Sequence, residues 1–148
     1  MSKKVKQAND KLHLAVQASN PELLAEILQS PHASLLAEHL LKQNEGTNIF
    51  HIALEPYKQI QFRKEENPAF NDVELRARAL KCIKLLGEFL KSHNQEETIK
   101  LLTCGRDNRN WYTVYLTAIL ADAAEALEYF IKEFNLDVHK RNGSYVQS

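Results

Sequence analysis

Apolar residues recur along this chain at three- and four-residue intervals, the period of one face of an α-helix. Leu23, Leu24, Ile27 and Leu28 share such a face. Their segment opens with helix-start chemistry: Asn20 as cap, Pro21 at the first helical position and Glu22 in the first turn. The longest pattern runs from Val73 to about Ser92. It puts Leu75, Ala79, Cys82, Ile83, Leu86, Phe89 and Leu90 on one side, and Arg78, Lys81, Lys84, Glu88 and Lys91 on the other. Asn71-Asp72-Val73-Glu74 ahead of it reads as a capping box. Asp122-Ala123-Ala124-Glu125 reads as another, before a helix expected to bury Ala126, Leu127, Phe130, Ile131 and Phe134. Shorter helices are expected over 33–42, with Leu36, Leu40 and Leu41 inward, and over 94–103. The latter is opened by Asn94 with Glu97 and buries Ile99, Leu101 and Leu102.

Polar turns punctuate these patterns. Asn44-Glu45-Gly46-Thr47, Cys104-Gly105-Arg106-Asp107-Asn108 and Arg141-Asn142-Gly143-Ser144 each hold one of the four glycines. A short apolar run follows each of the first two, Ile49 to Leu54 and Trp111 to Leu116, and a third copy, Leu12 to Val16, stands near the start. In isolation 111–117, aromatic and β-branched, reads as a strand. The recurrence overrules that reading in favour of a helix. The expectation is therefore an all-α protein with no sheet of three or more strands. Antiparallel pairs are expected near 11–18 with 21–30, 49–57 with 73–91 and 113–120 with 123–134. Leu14, Ala15, Leu24, Ile52, Ala53, Leu86 and Leu116 are expected to be buried.

This order of turn, apolar run and capped helix resembles the ankyrin repeat, a unit of about 33 residues. Lys11-Leu12-His13-Leu14-Ala15-Val16 matches the family's Leu-His-Leu-Ala core, and Ser19-Asn20-Pro21-Glu22-Leu23 its inter-helix loop. Gly46-Thr47-Asn48-Ile49-Phe50-His51-Ile52-Ala53 matches from the turn glycine onward. Asp107-Asn108-Arg109-Asn110 fits the turn of a third copy, and Val114-Tyr115-Leu116 fits its core. Leu136 to Gly143 fits its exit. No Thr-Pro pair survives. The family's Thr position holds Asp10, Asn48 and Tyr112, and since Tyr112 caps poorly the third helix is expected to begin at Thr113. The resemblance implies a single domain, an ankyrin-like solenoid of stacked antiparallel helix pairs joined by finger-like turns. Repeats span about 8–43, 44–104 with an insertion at 55–72, and 105–141, with the start of a fourth at 142–148.

Composition narrows the function classes. The chain has 148 residues, with 19 basic and 19 acidic side chains. That balance argues against nucleic-acid binding as the main task. Gly and Pro number four each, too few for an all-β fold of many turns. No stretch approaches 18 apolar residues, no apolar run follows Lys3-Lys4-Val5-Lys6 as in a secretory signal, and Ser at position 2 excludes myristoylation. Cys82 and Cys104 make no disulfide framework, which suits a reducing, cytoplasmic setting. The expected protein is a monomer without cofactor or metal, binding neither nucleic acid nor membrane.

The ankyrin resemblance implies a non-catalytic protein-interaction module, with another protein held on the face of turn tips and first helices. Trp111 is the leading contact candidate, since it follows the third turn at a position the family leaves exposed and variable. Asn108 and Arg109 flank it, Glu45 and Thr47 come from the preceding turn, and Tyr57 lies where the binding-side helix is expected to end. Phe62 and Phe70 of the insertion are expected to cover the long helix. Tyr112 and Tyr115 are read as packing residues, Tyr115 in place of the usual His. His13 and His51 fall at the family's structural His position, and Cys82 on an apolar helix face. Cys104, in a turn, would serve the alternative reading, a cysteine-dependent enzyme with a distant His. Arg76, Arg78, Lys81 and Lys84 would serve a nucleic-acid binder, against which Glu74 and Glu88 weigh. The resemblance also leaves open an N-terminal interaction domain of a larger protein, including a bacterial effector delivered into a host cytosol.

Overall fold

The computed structural model describes residues 2–43 and 45–136. The last turn, Arg141-Asn142-Gly143-Ser144, and the start of a fourth repeat lie outside the described residues. The described chain is all-helical. In order the helices are α1 (Lys3–Gln17), α2 (Pro21–Leu28), α3 (Ala33–Leu41), α4 (Ile49–Ala53), α5 (Glu55–Glu66), α6 (Val73–His93), α7 (Gln95–Thr103), α8 (Val114–Leu120) and α9 (Ala124–Phe134). Among the described residues there is no strand, and 111–117 contributes only one isolated bridge, Arg106 with Thr113.

Helix α1 lies against α2 and α4, and α4 lies against α8; α2 in turn lies against α6, and α6 against α9. The pairs α4 with α6 and α8 with α9 are in contact too, while α3 and α7 both pack on α6. One core joins them. Leu12, Ala15, Leu24, Ala53 and Leu86 are all buried in it, as are Leu36, Ala79, Cys82, Leu101 and Ala118. Phe50 and Phe130 meet edge-on at its centre, 5.6 Å apart. Gly87, the glycine outside the turns, has a packing reason: a Cβ there would stand 2.4 Å from the Tyr129 hydroxyl. That close approach lets α9 sit on α6.

The caps explain where expectation and structure part. Helix α1 starts eight residues before Lys11, because Ser2 Oγ accepts from the Val5 N–H and Asp10 falls within the helix. Leu14 then faces away from the core and is 63% exposed, which corrects its expected burial. Ile52 and Leu116 are half-buried rather than buried. Neither box at 71–74 nor at 122–125 closes. Asn71 Oδ1 accepts from Val73 N–H as a local turn, and Glu74 is exposed. Asp122 is left-handed (φ 54), and Glu125 is taken by the fork of Arg76, at 2.7 and 2.9 Å. Asn94 does cap α7, accepting from Glu97 N–H.

The expected insertion is a helix, α5, anchored on α6 by buried Tyr57 and Ile60. Phe62 on it is 62% exposed, so it does not cover α6 as expected, and Phe70 instead receives the Arg63 guanidinium over its ring. Leu75 at the mouth of α6 is also exposed.

Candidate functional site

Two turns stand side by side, 45–48 ahead of α4 and 105–113 ahead of α8. The first is closed by a reciprocal cap. Asn48 Oδ1 accepts from the N–H groups of Phe50 and His51, and His51 Nδ1 accepts from Asn48 N–H at 3.0 Å. The opposite ring nitrogen, Nε2, then carries the proton and donates to the carbonyl of Tyr112 at 3.0 Å, across to the second turn. His51 is fully buried, and burial holds its pKa below the ordinary imidazole value. His13, by contrast, bonds only within its own helix, to Asn9 O.

The second turn is organised around Asp107, whose side chain is fully shielded. Its Oδ1 accepts from the Thr47 hydroxyl and from the N–H and Nε of Arg109; Oδ2 accepts from Arg109 Nη2 at 2.9 Å. Its own N–H reaches Tyr112 O, and its carbonyl accepts from Trp111 N–H, both at 2.8 Å. Burial alone would raise this carboxyl. Arg109, the backbone and Thr47 outweigh that and hold it well below the usual carboxylate range. Thr47 Oγ1 also accepts from Asn108 N–H. The two turns are thus one hydrogen-bonded unit.

Trp111 is 72% exposed on this unit, with φ +64. The left-handed region is an outlier for so bulky a residue. The register explains why it matters. Gly46, with φ +80, stands two residues before its cap Asn48, and Trp111 stands two residues before its cap Thr113. Trp111 therefore fills the slot that glycine fills one turn earlier. The same register puts Leu116, not Tyr115, opposite His51, and both Tyr115 and Leu116 are half-buried. Helix α8 begins after Thr113, as Tyr112's poor capping implied.

Beside Trp111 opens a depression of about 360 Å3, lined also by Glu45, Gly46, Cys104, Arg106, Asp107 and Asn108. Of the sequence candidates, the structure brings together Glu45, Thr47, Asn108, Arg109 and Trp111. Glu45, Asn108 and Arg109 are exposed and Thr47 half-buried. Arg109 is committed to Asp107 and to Glu55 at 2.9 Å, so it braces the turn. Tyr57 is a correction: it is fully buried, with Arg76 stacked over its ring and its hydroxyl donating to Arg76 O. A first helix running on to 57 would leave it at the surface; the break at Leu54 turns it inward.

Asp107 and Arg106 are the residues bracing this turn that sequence reasoning missed. The signal for Asp107 was a lone Asp opening a polar turn, four residues before an aromatic. Arg106 donates to Trp111 O at 2.9 Å. Cys104 is exposed, with Thr103 Oγ1 at 3.6 Å as its polar neighbour, and both nitrogens of the nearby turn's His51 are committed to backbone groups. Cys82 is buried, and its thiol is pushed up to about 11. Arg76 and Arg78 are ion-paired, with Glu125 and Glu22. Among the described residues no group of acids, His and Cys has a metal-holding arrangement, and no helix is long and apolar enough to cross a membrane. No family model, no curated protein and no solved structure matches the chain.

Proposed function

We propose that the chain is a divergent ankyrin-like stack acting as a non-catalytic protein-interaction module. Its partner is another protein, held on the face of the paired turns with Trp111 as anchor. One observation carries this reading: a tryptophan occupies a left-handed backbone slot and remains 72% exposed. That conformation costs about 1–2 kcal/mol for a residue with a Cβ. Packing within the fold does not offset the cost, since most of the side chain is in water. Strain of this kind gathers at functional sites, where the surroundings hold it in place. Here the bonds of Asp107 do so. A large, rigid aromatic presented on a braced turn has the properties of an interface hot spot.

The ankyrin-like arrangement is supported by the two runs of contacts, α1–α4–α8 and α2–α6–α9, and by the His51 bond from one turn to the next. On this reading α3, α5 and α7 are departures from the repeat, and the protein works as a monomer in a reducing, cytoplasmic setting.

The test compares two substitutions after affinity capture has identified a partner. Trp111→Gly relieves the strain, whereas Trp111→Ala keeps it. Both should weaken binding by about thirtyfold or more, equivalent to about 2 kcal/mol. The melting temperature of Trp111→Gly should stay level or rise. Unchanged binding, or a large fall in melting temperature for Trp111→Gly, would overturn the reading.

A further inference from the structure

The chain's charge balance conceals an uneven surface. Helix α1 holds four lysines, Lys3, Lys4, Lys6 and Lys11, against one acid, Asp10. All four are exposed, and among the described residues no carboxylate pairs with any of them. On α6, by contrast, Arg76 pairs with Glu125, Arg78 with Glu22 and Lys91 with Glu133. Two of the unpaired lysines edge a groove of about 380 Å3 between α1 and α2.

The groove has a defined chemistry. Lys4 and Lys11 stand on its α1 side, about 10.5 Å apart along the helix axis. Ala8 lies between them, and with Leu23 and Ile27 of α2 it gives the groove an apolar floor. Ala8 is small, so a partner's backbone can come close. Among the described residues Glu26 is the one carboxylate in the groove's lining, which also includes His32. Leu14, 63% exposed, continues the α1 edge one turn beyond Lys11.

We propose that this groove docks an acidic amphipathic helix of a partner protein, at a surface separate from Trp111. Two carboxylates seven residues apart on the partner match the spacing of Lys4 and Lys11. An aliphatic side chain between them fits the floor of Ala8, Leu23 and Ile27. Glu26 is then the one repulsive group, which gives the proposal a signature that no purely structural role has.

The experiment uses the full chain and a labelled helical peptide carrying Glu at positions i and i+7 and Leu at i+3 and i+4. Its counterpart carries Lys in place of both Glu. Anisotropy should show the acidic peptide binding in a salt-sensitive way and the Lys peptide not binding. Lys4→Glu with Lys11→Glu should weaken the acidic peptide about tenfold and admit the Lys peptide. Glu26→Gln should strengthen the acidic peptide, and Trp111→Gly should leave it unchanged. All these positions are exposed edges, and unchanged melts confirm intact folds. The proposal fails if the acidic peptide does not bind, if the charge swap leaves its affinity unchanged, or if Glu26→Gln weakens it. Binding to phosphatidylserine vesicles without binding to the peptide would likewise overturn it, in favour of an anionic lipid surface.

Discussion

The turns before α4 and α8 follow one plan with different occupants. Each places a left-handed residue two positions before its cap, Gly46 before Asn48 and Trp111 before Thr113. Each cap's side chain accepts from the amides that open its helix. In the first turn the left-handed residue and the ring both serve the fold. Gly46 takes the left-handed backbone without strain, and a Cβ there would meet Asn108 Oδ1 at 2.8 Å. His51 closes the cap and reaches across to Tyr112. In the second turn Trp111 strains the same slot, and half-buried Leu116 replaces the ring. On the proposed reading, the difference separates what the fold needs from what is displayed on it.

The sharpest way to break this contrast is His51→Leu, which gives the first turn the second turn's residue. It orphans the buried Asn48 N–H and removes one of the two donors to Tyr112 O, leaving the Asp107 N–H. A loss of about 2 kcal/mol is expected, since a buried group left unpaired costs roughly 1–3 kcal/mol. Urea unfolding should show a lower midpoint at constant slope. A loss below about 1 kcal/mol would mean that the ring does not couple the turns.

Substitutions in the left-handed slots should have opposite signs. Gly46→Ala is expected to destabilise by about 1–2 kcal/mol, through backbone strain and the Asn108 contact. Trp111→Gly relieves the same strain, set against the greater freedom glycine gives the unfolded chain, so stability should rise by up to about 1 kcal/mol. Paired thermal melts decide it. If both substitutions destabilise, Trp111 is packing and not display.

Acid should act on the first turn before the second. His51 is neutral in the fold and burial lowers its pKa, so its contribution is fully present above the unfolded value of about 6.5. It is lost as pH falls below that, with a slope of at most about 1.4 kcal/mol per unit. His39 is also lowered by burial and adds the same sign. Subtracting the His51→Leu profile from that of the parent isolates the His51 share. Asp107, held low, loses its contribution only as pH falls below about 4, the unfolded carboxylate range. An equal slope in parent and His51→Leu between pH 6.5 and 5 would refute the assignment.

Much of the fold was legible because its signals are local. The apolar face of α6 and the caps Asn20, Asn48 and Asn94 act over three or four residues, and the structure keeps them. What was not legible depends on contacts far apart in sequence. Asn71 and Asp122 look like caps, yet Arg76 draws Glu125 away from any box. Ser2 starts α1 early, and Leu14, on the side of α1 away from buried Leu12 and Val16, stands in water. At the candidate site, exposure of Trp111 followed from its place after a turn, but its strain did not. That required the register fixed by Thr113 as cap and by Asp107, whose partner Thr47 lies sixty residues earlier. Tyr57 was misplaced because a break at Leu54 rotates everything after it.

The smallest effect is expected from the converse exchange, Leu116→His, which gives the second turn the first turn's ring. If the slots were interchangeable, the new imidazole would close a cap and stabilise the protein. The backbone argues otherwise. Thr113 already forms a bridge with Arg106, so this turn is closed by main-chain pairing where the earlier one is closed by His51. Leu116 is half-buried, and replacing it trades some apolar contact for a polar ring that still reaches water. The change should therefore fall within about 0.5 kcal/mol of the parent, as for most surface substitutions. Urea midpoints at pH 8, where the imidazole is neutral, measure it without a charge effect. A gain above about 1 kcal/mol would show that the second turn lacks a bond the first one has. The contrast between a turn built for the fold and a turn built for display would then reduce to Trp111 alone.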